Sequence, residues 1–138
     1  MSRTNFEKLR VYRLSENLAD DIWEIVESSK HFARDTVGKQ VVRSADSIGA
    51  NIAEGAGRGS YQDNRRFVRN ARGSLNETKH WLRRAFKRQL LKSQITRLRT
   101  VLDNLTPQLN AFLKSIGSSR PLTPEPKGIA GKPITTDY

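Results

Sequence analysis

The sequence predicts an all-α fold: an antiparallel up-down four-helix bundle over residues 1–117, followed by a flexible Pro/Gly-rich tail over residues 118–138. Three observations predict it. Apolar residues recur at steps of three and four through four successive stretches, the spacing of one buried helix face. Pro107 is the one proline in residues 1–117, whereas residues 118–138 hold the other four. The connections between the stretches are short, which places consecutive helices side by side. At 138 residues the chain is long enough for one core and too short for two.

The first helix is expected over about residues 6–29, with Leu14, Leu18, Ile22, Ile25 and Val26 as its stripe, extended by Phe6, Leu9 and Tyr12. Its opposite face carries Glu16, Asp20, Glu24 and Glu27. The second is expected from about Thr36 to Glu54, with Val37, Val41, Ala45, Ile48 and Ile52 facing inward, and stops at the glycine run Gly55–Gly59. The third opens at Ser60, a suitable N-cap, and fades near Gln89–Leu91; its stripe is Val68, Ala71, Leu75, Thr78, Leu82 and Ala85. The fourth, capped by Ser93, carries Ile95, Leu98, Leu102, Leu105, Leu109, Phe112 and Ile116 and closes at Gly117. Because that stripe continues past Pro107, a kink is expected there and not an end. Residues 118–138 have little to bury.

Charge is concentrated in the second half. Residues 1–57 carry 8 basic and 9 acidic side chains, and residues 58–138 carry 17 and 5, for a total of +11. Such asymmetry points to a surface that meets a polyanion, nucleic acid being the usual one. Arg65, Arg69, Arg72, Arg83 and Lys87 fall on one side of the third helix, and Arg66, Arg84 and Arg88 widen the band, with Arg58 just before it. Residues of this kind make phosphate contacts, which give affinity without reading sequence. Aromatic residues are sparse, so base stacking is not expected to dominate.

Cysteine is absent, which excludes disulfides, thiol nucleophiles and cysteine-based metal sites. The two histidines, His31 and His80, are far apart. Glu77-Thr78-Lys79-His80 has a di-metal carboxylate spacing but occurs once, where such sites need two copies. Glu54 and Glu77 form a carboxylate pair only if their helices bring them together; the plainer role of Glu77 is an ion pair, for instance with Arg43. Gly55-Ala-Gly57-Arg58-Gly59 could cradle phosphate, but no strand precedes it, and a helix stop is the simpler reading. No residues are assigned to catalysis or to a metal, and no cofactor or small-molecule substrate is expected. No apolar run approaches the roughly 20 residues of a membrane span, and MSRTNFEKLR has no signal-peptide core, so a cytoplasmic protein without membrane association is expected.

The most specific stretch is Arg43–Gly55, dense in Ala, Ser and Gly; its partner is Ala71–Glu77, with Gly73 and Ser74. Small residues at these positions predict that the two helices lie close, with Asn51 and Glu54 at the junction needing polar partners. Asn51-Ile52-Ala53-Glu54-Gly55, the run Gly73-Ser74-Leu75 with Glu77, and the opening Phe6…Leu9-Arg10-Val11-Tyr12 resemble the motifs of a family. This is the family of bacterial four-helix bundle proteins often encoded in intervening sequences of large-subunit rRNA genes. It is related to the accessory variability protein of diversity-generating retroelements, which works with a reverse transcriptase and nucleic acid. The resemblance spans residues 6–117; the basic Trp81-Leu82-Arg83-Arg84 and Pro107 depart from the family pattern. It implies an up-down bundle assembled as a ring-like homopentamer.

The apolar arc of the third helix is wider than a lone bundle needs, reaching from Trp81, Phe67 and Ala85 to Phe86, Val68 and Tyr61. Trp81 and Phe67 are therefore expected in or near a subunit interface, the alternative being a widened core. The functional expectation is a non-catalytic, oligomeric nucleic-acid-binding protein, with RNA the expected form and DNA open. The alternative is a scaffold that docks an acidic partner protein without touching nucleic acid.

Overall fold

The computed structural model describes residues 5–90 and 95–118. The described residues are helical with no strand. A 3₁₀ turn (Phe6–Lys8) leads into α1 (Arg10–Glu27). A short α2 (His31–Ala33) continues through a π turn (Arg34–Gly38) into α3 (Lys39–Ala56), and α4 (Tyr61–Lys87) and α5 (Ile95–Ser115) follow. The expected Ser93 cap and residues 119–138 of the expected tail lie outside the described residues.

The four long helices enclose one core. α3 packs on α4 and on α1, and α5 on both α1 and α4. The stripes of α3 and α4 are buried as their spacing predicts: Val37, Val41, Ala45, Ile48 and Ile52 face Val68, Ala71, Leu75, Leu82 and Ala85 in one cluster, which Leu98, Leu105 and Leu109 complete. Transfer of this apolar surface from water is the main force holding the helices together.

Three boundaries differ from expectation. The first helix is broken at Leu9, which is extended (φ −72°, ψ 130°), so the 3₁₀ turn folds back and Phe6 meets Tyr12 edge-on at 5.0 Å. Val11 and Ser15 are therefore buried, while Leu14 is only partly so. The second helical run starts earlier, at His31, because nothing in residues 31–38 breaks a helix. Its buried residues Ala33, Val37, Val41 and Ala45 are four apart, a spacing that drifts by about 40° per step on an α-helix. The wider π turn absorbs part of that drift. It also presses Gly38 against α1, where an added Cβ would stand 2.7 Å from Val26 Cγ1. Finally, α4 ends at Lys87, with Gln89 in the left-handed region (φ 62°).

Ser60 caps α4 by accepting a hydrogen bond from the Asp63 amide at 3.1 Å. Pro107 lies inside α5, which runs on to Ser115, and Gly117 turns the chain with φ 78°. No helix among the described residues is long and apolar enough to cross a membrane.

Candidate nucleic-acid interface

The structure divides the predicted basic band in two. Near the start of α4 the arginines are engaged within the chain. Arg58 and Arg66 both stack on the Phe67 ring, at 4.7 and 4.5 Å from its centroid, and pair with Glu54 (3.6 Å) and Asp63 (3.4 Å). Arg65 donates from Nη1 to the Ile116 carbonyl at 2.8 Å, and Arg72 to Asn110 Oδ1 at 3.3 Å. The first of these bonds satisfies a carbonyl at the end of α5, where helical partners run out.

Arg69 and the cations of the band beyond Arg72 are free. Arg69, Arg83, Lys87 and Arg88 are exposed and Arg84 is half-buried, and none has a side-chain hydrogen bond or ion pair among the described residues. Arg83 and Lys87 line a cleft of about 420 Å³ between α4 and α5, together with Lys79 and Arg99. One carboxylate, Asp103, and the half-exposed ring of Phe86 complete its polar and aromatic lining. Lys79 and Arg99 were not among the expected binding residues. Lys79 lies four residues before Arg83, so the ladder 79-83-87 is visible in the sequence; Arg99 reaches the cleft only because α5 packs on α4.

The small-residue segments lie along one another, and the tight contact falls at one end of that seam. A Cβ added to Gly55 would stand 2.7 Å from Asn64 Oδ1, 3.0 Å from Phe67 Cβ and 3.1 Å from the Asn64 carbonyl oxygen. Gly49 is also buried, but an added Cβ there would only touch the Tyr12 ring of α1, at 3.4 Å, an ordinary contact. Gly73 corrects the sequence reading. It is exposed, with no atom of the described residues within 4 Å of an added Cβ, so none of the described helices packs against it. Ala53 and Ser74 are half-buried.

The polar motif residues are satisfied locally. Asn51 Nδ2 donates to the Ser47 carbonyl at 2.9 Å, Glu54 pairs with Arg58, and Glu77 accepts from Trp81 Nε1 at 3.3 Å. Glu54 and Glu77 do not come together. Glu54 precedes Gly55 at the Asn64 contact, while Glu77 precedes Thr78, which meets Ser44. Those two junctions are eleven residues apart on α3, Gly55 against Ser44, or about 16 Å. Arg43 does not pair with Glu77 either; it lines an apolar cavity of about 430 Å³ with Trp23, Val26 and Val42. His80 is exposed beside Trp81, and no cluster of His, Asp and Glu with metal-binding geometry occurs among the described residues.

Trp81 packs against the core cluster and Phe67 lies under two guanidinium groups. Among the described residues, the large apolar side chains that stand exposed are Trp23, Phe32, Tyr61, Phe86 and Leu90. On the α1–α3 side, partial desolvation and then the Asp20 carboxylate raise the pKa of the exposed Asp46. Burial raises that of Tyr12, with the acidic Glu16 adding to it.

A family model described as 23S rRNA-intervening sequence protein matches residues 7–111. Among solved structures, the chain is similar to a Bacteroides thetaiotaomicron protein with unknown function from the S23 ribosomal protein family. The two are 24% identical, the match covers 76% of this chain and 96% of that one, and the TM-score is 0.68. At that identity the likeness is one of fold. A comparison with curated proteins finds no match.

Proposed function

The chain belongs to the 23S rRNA-intervening sequence protein family, and from that premise we infer that it is a non-catalytic, cytoplasmic nucleic-acid-binding protein whose basic face on α4 grips phosphates. The observation that carries the reading is the run of free cations beyond Arg72, at Lys79, Arg83, Lys87 and Arg88, joined by Arg99 of α5. A cation already paired within the chain gains little from a phosphate; an unpaired, hydrated one releases the phosphate's counterions on contact. The helices run antiparallel in this reading. The pairs Arg65–Ile116 and Arg72–Asn110 support it, since position rises along α4 as it falls along α5. The same holds for Ser44–Thr78 and Gly55–Asn64 between α3 and α4.

RNA is the expected ligand, contacted through its backbone without sequence readout. A homo-oligomer, with five copies the form the family resemblance implies, would repeat the basic face and raise avidity. Binding of labelled RNA by the full chain, measured from about 50 to 200 mM salt, tests the reading. The affinity is expected to fall linearly on a log–log plot. Absence of binding at the lowest salt would overturn the reading in favour of an acidic protein partner.

A further inference from the structure

We propose that the cleft between α4 and α5 holds a short stretch of a single-stranded nucleic acid, with successive phosphates on Lys79, Arg83, Lys87 and Arg99 and one base against Phe86. The inference rests on the nucleic-acid reading above and gives it a ligand form and a position.

Three features of the cleft carry it. The first is the ladder Lys79, Arg83, Lys87, four residues apart on one ridge of α4. Each step is about 6 Å along the helix, on the order of the spacing between successive phosphates of an extended strand. Arg99 faces the ladder from α5, so the cations line two walls and not a flat surface.

The second feature is Phe86, 46% exposed and lining the same cleft. A solvent-facing phenyl ring among ammonium and guanidinium groups is a stacking platform for a base, and every base offers a π face. Duplex bases are stacked on each other and present only edges and backbone, so a duplex leaves this ring unused.

The third is Asp103, an acid that none of the four cations neutralises by an ion pair. A ligand of phosphates or carboxylates alone, such as polyphosphate, offers Asp103 no hydrogen-bond donor. A nucleotide carries N–H or hydroxyl donors besides its phosphate, and a carboxylate accepts from them. Four cations, one acceptor and one ring in about 420 Å³ match a base together with the phosphates that flank it along a strand.

Fluorescence anisotropy of the full chain tests this, with a labelled 12-nucleotide single-stranded RNA lacking self-complementarity and a 12-base-pair RNA duplex as probes. Phe86→Ala is expected to weaken the single strand by at least about 5-fold and the duplex by less than about 2-fold. Phe86→Tyr, which keeps the ring, is expected to keep the single-strand affinity. Arg99→Gln is expected to weaken the single strand more than the duplex. An unchanged single-strand affinity in Phe86→Ala, or equal losses on both probes, would overturn the proposal while leaving general phosphate binding intact. Failure of the wild-type chain to bind either probe at low salt would overturn the underlying reading as well.

Discussion

Thr78 Oγ1 donates to Ser44 Oγ at 3.0 Å, joining α4 to α3 through two buried hydroxyls in an otherwise apolar seam. The Thr78 proton is shared between Ser44 Oγ and the Ser74 carbonyl at 2.8 Å, while the Ser44 proton goes to the Val41 carbonyl at 3.2 Å. Removing either member deletes the cross-helix bond and leaves the remaining hydroxyl bonded only to its own helix in a buried seam. Thr78→Val is expected to cost about 1–2 kcal/mol in urea unfolding. Adding Ser44→Ala is expected to cost less than the two single losses summed, since an apolar pair has nothing left unsatisfied. Strict additivity would mean that the two hydroxyls do not couple.

Two glycines of the motif segments are expected to respond with opposite sign. Gly55→Ala puts a Cβ against Asn64 and Phe67, two of whose contact atoms are a Cβ and a backbone oxygen that cannot swing away. It is expected to destabilise by about 1–3 kcal/mol. Gly73→Ala adds a methyl to open space in the middle of a 27-residue helix. It is expected to stabilise by about 0.5–1 kcal/mol, the helix-propensity difference. Thermal melts of the two variants check both signs; a destabilised Gly73→Ala would place a contact from another molecule on that face.

Arg65 and Arg83 sit on the same helix but have different work. The Arg65 guanidinium holds the Ile116 carbonyl beside Gly117, whereas Arg83 has no partner among the described residues. Arg65→Ala is expected to lower stability by about 1 kcal/mol and to change RNA affinity little. Arg83→Ala is expected to leave the melting temperature in place and to reduce the salt slope of binding by about one. Melting curves and salt titrations on the same two proteins separate these outcomes.

Asp46 supplies a pH dependence. Asp46 is exposed, but partial desolvation against the protein and the neighbouring Asp20 raise its folded-state pKa above the ordinary 3.8. Its ionised form is therefore disfavoured in the folded chain. Its contribution to stability is fully present below the ordinary value and is lost as pH rises through the raised one. Asp46→Asn is accordingly expected to raise the melting temperature modestly at pH 7, with the gain vanishing below about pH 3.8. A gain that persists at pH 3 would point to a cause other than ionisation.

The sequence by itself determined the four long helices and most of the core. Each stripe repeats at three and four residues, and burying one helix face is a local requirement that spacing alone expresses. Ser60 as a cap and Gly117 as a terminator were legible for the same reason: their roles are set by the backbone of their own turn. The break at Leu9 and the π turn at Arg34–Gly38 were not, because no capping side chain or breaker marks them; packing of Phe6 on Tyr12 and of Gly38 on Val26 accompanies them. The resemblance marked both small-residue segments, yet only the tertiary structure decided that Gly55 is the tight contact and Gly73 is open, since composition does not say which side of a helix faces its neighbour. It decided the charge pattern too. Nine Lys and Arg between residues 60 and 91 look alike in sequence, but whether a guanidinium meets a carbonyl of α5, a phenyl ring or open solvent depends on which helix lies opposite, and that pairing is fixed only when the core closes.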